Sequence, residues 1–181
     1  MAEVQRSEAA PRDTRSQRLY DESRLIGAAV TALRAHQPAQ ALEQVSVYRR
    51  KYPRGSMEGE AALAEVQAEL DLGLDAIALQ QLEDLGRDDF RGVPRPDESR
   101  LLRAELLARK TKCGPAVDDF DRLLGSSLEA SLEQRALFGR AVCRSKLGNA
   151  DGARADFSRY LARFPDGRFS GQARRSLAGL R

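Results

Sequence analysis

The sequence predicts an all-α fold made of repeated helix pairs, and three observations carry the prediction. Ala41, Ala78, Ala116 and Ala153 fall 37, 38 and 37 residues apart, a self-similarity that marks repeat architectures. Each is followed by an apolar or aromatic residue four and seven positions on: Val45 and Tyr48, Leu82 and Leu85, Phe120 and Leu123, Phe157 and Tyr160. That spacing is one face of a helix. Glycine and proline punctuate the chain at Pro38, Pro53-Arg54-Gly55, Gly73, Gly114-Pro115, Gly148 and Pro165-Asp166-Gly167, as helix starts and stops require. Stacked pairs of this kind make an α-solenoid, which offers an extended surface for binding and no preformed catalytic crevice.

Residues 1–15 are polar, contain Pro11 and have nothing to bury. The expectation is a disordered lead-in over 1–15 and a helical repeat domain over 16–181. The first helix runs from about Ser16, with Leu19, Ile26, Val30 and Leu33 inward, and ends near His36-Gln37. Pro38 sits in the first turn of the second, which carries Ala41, Val45, Tyr48 and Tyr52. Ser56 is the expected N-cap of the third, with Ala62, Val66 and Leu70 inward and Gly73 closing it. The fourth presents Leu74, Ile77, Ala78, Leu82 and Leu85.

Gly86 to Pro96 is the least regular stretch, since Gly92, Pro94 and Pro96 forbid a long helix. Asp97 or Ser99 is the expected cap of the fifth helix, which bears Leu101, Ala104, Leu107 and Ala108 and ends near Cys113-Gly114. Pro115 begins the sixth, with Ala116, Phe120 and Leu124. The seventh runs from about Leu128 through Leu132, Leu137, Ala141 and Leu147. The eighth carries Ala153, Phe157, Tyr160 and Leu161. A ninth aligns Phe169, Ala173, Leu177 and Leu180 and would cap the apolar face of the last of about four pairs, with Arg174, Arg175 and Arg181 outside. The recurrent alanines have a packing reason: two helices joined by a tight turn approach closely only where the side chain is a methyl group, and the larger residue one turn later fills the space as they diverge.

Composition narrows the functional classes. The chain has 181 residues, the size of one ordinary domain. Basic residues number 30 and acidic 27, and they are interspersed, so a nucleic-acid footprint is not strongly implied. Only Lys51, Lys110, Lys112 and Lys146 are lysines; every other basic residue is arginine, a bias like that of GC-rich bacterial genes. No run of apolar residues is long enough to span a bilayer, and the opening Met-Ala-Glu-Val-Gln-Arg-Ser-Glu has no apolar segment of the secretory kind. The chain is then either cytoplasmic, or a mature or soluble part of something longer.

Leu147-Gly148-Asn149-Ala150-Asp151-Gly152-Ala153, with Phe157, Tyr160 and Pro165, resembles the second half of a tetratricopeptide repeat, and Ala41, Tyr48 and Pro53 echo it. The endings 48–56 and 160–169 resemble the bacterial cell-envelope branch of that family. That branch includes outer-membrane assembly lipoproteins of the BamD type, C-terminal domains of CpoB-like periplasmic proteins and repeat domains of membrane-anchored myxobacterial regulators. The resemblance covers residues 16–181 and is strongest in the first and fourth repeats. It departs from the family in its longer period and in Leu25, Ala62, Arg100 and Leu137, where an aromatic residue is expected early in the first helix of each pair.

Chemistry is sparse. His36 is the single histidine and lies where a turn glycine would, so it reads as a helix C-terminal cap; a general base needs a nucleophile or an orienting carboxylate beside it. Cys113 and Cys143 cannot make a four-ligand zinc site without histidines, and their register places them at different heights on neighbouring helices, which reads against a disulfide. Asp118-Asp119-Phe120-Asp121 looks like a carboxylate cluster. Helical geometry puts only Asp118 and Asp121 on one face, and acidic residues in a first turn complement the helix dipole. The expectation is no enzyme, no cofactor and no metal.

What remains is a surface. The resemblance implies that the first helix of each pair lines a concave face, where Glu60, Gln67, Glu98, Glu105, Arg109, Arg135 and Phe138 are the candidate protein-binding residues. Ser23, Ile26, Val30, Leu63, Leu101, Val142 and Ser145 fall on the same mapped face. The carboxylate clamp of chaperone-binding members needs asparagines, and this chain has one, Asn149, in a turn. The expected function is a non-enzymatic protein-interaction module or scaffold in a bacterial envelope or membrane-anchored regulatory assembly, with a periplasmic leaning. The alternatives are a cytoplasmic scaffold that assembles with itself, and nucleic-acid binding through Arg174, Arg175, Arg181 and the N-terminal arginines.

Overall fold

The computed structural model describes residues 14–180, and among them every regular element is a helix: α1 (Thr14–Arg34), α2 (Pro38–Lys51), α3 (Glu58–Asp71), α4 (Asp75–Gly86), α5 (Pro96–Arg109), α6 (Cys113–Leu124), α7 (Ala130–Lys146), α8 (Ala150–Arg163) and α9 (Ser170–Gly179). The fold is all-α, of the helix-pair repeat class. Thr14 and Arg15 already belong to α1; the rest of the expected lead-in, and Arg181, lie outside the described residues. The helices group into two compact units divided between Leu74 and Asp75. In the first, α1, α2 and α3 pack on one another; in the second, contacts run from α4 through α9 in chain order, with α5 also touching α7.

The period of the alanines is also the period of the turns. His36, Gly73, Thr111 and Gly148 have φ of 55°, 74°, 61° and 80°, the left-handed conformation that ends helices. The residue after each closes the same bond: the N–H groups of Gln37, Leu74, Lys112 and Asn149 donate to the carbonyls of Ala32, Glu69, Leu107 and Arg144 at 2.8–2.9 Å. His36 is therefore a helix terminator, as its position suggests. All four repeat alanines are fully buried.

A second device recurs 112 residues apart. Tyr48 and Tyr160 are buried, and their hydroxyls accept the N–H of Met57 at 3.0 Å and of Phe169 at 2.9 Å. These are the N-caps of α3 and α9, so a tyrosine on one helix satisfies an otherwise orphaned donor at the start of the next. Gly55 and Gly167 lie against the two hydroxyls, where a Cβ would collide.

Several expected details change. Ser56 does not cap α3: its N–H and hydroxyl both donate to Glu22, at 2.7 and 3.0 Å. Neither Asp97 nor Ser99 caps α5, whose N-cap is Arg95 in a left-handed conformation ahead of Pro96. Helix α5 ends at Arg109 and α6 starts at Cys113, two residues before Pro115. Leu19, Leu74, Ile77 and Leu147, expected inward, are exposed. Leu79 replaces Ile77 in the core, because α4 turns its buried stripe through Ala78, Leu79 and Leu82. Phe90, in the irregular 87–95 connection, is almost completely buried, with the guanidinium groups of Arg100 and Arg103 over its ring at 5.3 and 4.9 Å.

The cysteines need the clearest correction. Cys113 and Cys143 form a disulfide with Cα atoms 5.0 Å apart. The start of α6 and the later turns of α7 meet at one height, so the pair spans two packed helices of the second unit.

Candidate binding groove in the second unit

Helix α5 projects Leu102, Glu105 and Arg109 from one face at spacings of three and four, and α7 projects Arg135, Phe138 and Gly139 toward it. Together with Ala108, Phe120 from α6 and Phe169 ahead of α9, they line a groove of about 390 Å³. Four candidate binding residues, Glu105, Arg109, Arg135 and Phe138, are thereby brought together.

The floor is aromatic. Phe138 stacks on Phe169 with centroids 4.5 Å apart and planes 11° from parallel, and meets Phe157 and Tyr160 edge-on at 5.9 and 6.1 Å. These offset and edge-on arrangements follow the ring quadrupole. Gly139 keeps the α7 wall low beside Phe120, where a side chain would strike the ring.

The rim carries both charges. Arg135 grips Glu105 with two parallel hydrogen bonds, Nε to Oε1 at 2.9 Å and Nη2 to Oε2 at 2.6 Å, the bidentate form that fixes both planes. Those hydrogen bonds raise the Arg135 pKa, against the opposing effect of burial and with help from the charges of Glu105 and Glu98. Arg109 does not pair with Glu105, although they share a helix; its Nη2 lies 3.3 Å from Asp75 Oδ2 on α4, and its side chain is 59% exposed. Glu98 is exposed and accepts from Arg95 at 2.9 Å, so it influences the groove through its field alone.

The other candidates lie elsewhere. Glu60 and Gln67 are on α3 in the first unit, where Gln67 donates to Asp71 at 2.8 Å. Ile26 and Leu101 are core residues, unavailable to a ligand. The aspartate cluster is taken apart by partners that the sequence did not announce. Asp119 is buried and accepts two bonds from Arg103 at 2.8 and 2.5 Å, Asp121 pairs with Arg140 and Arg144, and Asp118 points to solvent. The Arg103–Asp119 pair recurs 37 residues on as Arg140–Asp156, with bonds of 2.9 and 2.6 Å. That shared period was the signal in the sequence that could have revealed both.

Chemically the groove is suited to holding an apolar side chain on an aromatic floor between the exposed Arg109 guanidinium, whose other contact is Asp75, and the neutralised Arg135–Glu105 pair. No protein-family model matches the chain, and no curated protein does. Among solved structures the chain is similar to the crystal structure of a tetratricopeptide repeat protein from Parabacteroides merdae ATCC 43184, at 18% identity over 88% of this chain and 73% of that one, with a TM-score of 0.49. Fold and groove together define a class, an all-α helix-pair repeat with an aromatic-floored cleft.

Proposed function

We propose that the chain is a non-catalytic protein-interaction module whose second unit binds a peptide or partner helix in the groove of Glu105, Arg109, Arg135 and Phe138. The observation that carries this reading is the exposed Arg109 beside the Phe138–Phe169 stack: an apolar anchor would fill the cleft while a neighbouring acidic group meets the guanidinium. The Arg135–Glu105 pair sets the orientation of the rim without adding net charge.

The setting we propose is a bacterial envelope or membrane-anchored assembly. The Cys113–Cys143 disulfide supports it, since such bonds persist in oxidising compartments and are rare in reducing cytosol.

Peptides selected from a random display library against the whole chain supply the test. The expected binders carry an aromatic or aliphatic anchor next to an acidic residue, and Arg109→Glu weakens them about tenfold or more, about 1.4 kcal/mol, with the helical spectrum unchanged. Selected peptides that bind Arg109→Glu and Leu102→Ser as well as the native chain would place recognition outside this groove.

A further inference from the structure

Helix α1 leaves exposed a face that its counterpart in the fourth repeat has covered. The first and fourth repeats match at an offset of 112 residues, through Tyr48 and Tyr160, Gly55 and Gly167, and the terminators His36 and Gly148. The same offset sets Tyr20, Arg24, Gly27 and Thr31 of α1 against Leu132, Ala136, Gly139 and Cys143 of α7, at spacings of four, three and four that make one helical stripe. On α7 this stripe receives α6: the Phe120 ring fills the space over Gly139 and Cys143 is bonded to Cys113, while Leu132 and Ala136 are buried at 9% and 0% exposure. On α1 all four positions are exposed, Tyr20 at 64%. Among the described residues nothing lies within 4 Å of the place a Cβ on Gly27 would take.

Covering this stripe strands no hydroxyl. Thr31 Oγ1 donates to the Gly27 carbonyl and Ser23 Oγ to the Tyr20 carbonyl, both at 2.8 Å, so each is satisfied within its own helix. The charge is more demanding. Arg24 stands where α7 has a fully buried alanine, and a purely apolar helix laid there would leave its guanidinium unpaired. The fitting occupant brings an aromatic ring to the gap over Gly27 and a carboxylate to Arg24. Helix α1 carries both itself, Tyr20 on the stripe and Asp21 at its edge. Among the described residues neither Asp21 nor Arg24 is engaged in an ion pair.

We infer that this stripe is the interface of a symmetric dimer, in which α1 packs antiparallel against α1 of a second copy of the chain. With Ser23 of one copy opposite Arg24 of the other, each Tyr20 enters the gap over the other copy's Gly27. Residues on one edge of an antiparallel pair neighbour the same edge of the partner helix, so each Asp21 also lies beside the other copy's Arg24. Two-fold symmetry makes every one of these contacts twice. The seam runs from Tyr20 to Thr31, about three helical turns. That is small for a specific interface, so the dimer dissociates on dilution. The stripe belongs to the first unit and the groove to the second, and the inference stands independently of the proposed function.

Sedimentation equilibrium of the whole chain, from about 1 µM to about 0.5 mM, tests it. The native chain is expected to show a reversible monomer–dimer equilibrium. Gly27→Leu, for which the monomer has open space, and Tyr20→Ala, which removes an exposed ring, should each raise the dimer Kd at least tenfold with the helical spectrum unchanged. Leu147→Ser, at an exposed leucine beside a turn of the fourth repeat, should leave it as it is. Arg24→Asp sets like charges side by side and should weaken the dimer, and the exchange Asp21→Arg/Arg24→Asp should restore it. A native chain that stays monomeric over the whole range would overturn the inference. So would a dimer that survives both Gly27→Leu and Tyr20→Ala, one that Leu147→Ser weakens as much as they do, or one that the charge exchange fails to restore.

Discussion

At Thr111 a β-branched residue occupies the left-handed turn position that glycine fills at Gly73 and Gly148. The Cβ of threonine crowds the backbone there, at a cost on the order of 1 kcal/mol or more. Thr111→Gly is expected to raise stability by about 1 kcal/mol in urea melts, and Gly148→Ala to lower it by a similar amount. Opposite signs at two equivalent positions would be hard to obtain from any local contact other than backbone conformation.

Two buried carboxylates in the first unit carry opposite pH dependences. Burial pushes Glu22 up, but the hydrogen bonds from Arg18 and Ser56 and the charge of Arg18 outweigh it and hold its carboxyl below the ordinary 4.5. Its contribution is present above the unfolded pKa and is lost as pH falls through the lower folded value. Glu69 goes the other way: burial, then the charge of Glu65, raise it above 4.5 against Arg49. Its contribution is complete below the unfolded pKa and is lost as pH rises through the higher folded value. Denaturant melts from acid to neutral pH should therefore show Glu69→Gln gaining on the native protein as pH rises, and Glu22→Gln falling behind it. Parallel curves for the two variants would contradict these environments.

Among the elements, α7 is held by charge as well as by packing. Arg140 and Arg144 reach forward to Asp156 on α8 and back to Asp121 on α6, so one pair of arginines joins three helices. Asp156 and Arg140 are largely buried, and removing one side of such a pair strands the other. Asp156→Ala should cost about 3 kcal/mol or more, whereas Asp121→Ala, whose side chain is far more exposed, should cost about 1 kcal/mol or less. Similar losses for the two in equilibrium melts would mean that burial is not what gives this network its strength.

For the whole molecule, the disulfide is a covalent tie between residues 30 positions apart, on α6 and α7. Closing a loop of that size in the unfolded chain contributes about 3–4 kcal/mol in the loop-entropy treatment. Reductant is expected to lower stability by that order, and the denatured protein should yield two titratable thiols only after reduction. Two thiols titrating before reduction would show that the pair does not form.

Reading the chain as a line of residues recovered what local chemistry dictates. The 3.6-residue periodicity placed the nine helices of the described residues to within a few residues, the alanines marked a fully buried position in each repeat, and glycine, proline and His36 marked the turns, because backbone preferences act over four or five positions. The groove was half legible: Glu105, Arg109, Arg135 and Phe138 came from helical spacing combined with family resemblance, while Phe120, Gly139 and Phe169 did not. Those positions, the partners of Asp119, Asp121 and Asp156, the capture of Ser56 by Glu22, the exposure of Leu19 and Ile77, and the meeting of Cys113 with Cys143 depend on how far each helix is rotated and shifted against its neighbours. That choice is made by side chains interdigitating across tens of residues, so one-dimensional periodicity carries no record of it. Only the packed structure decides it.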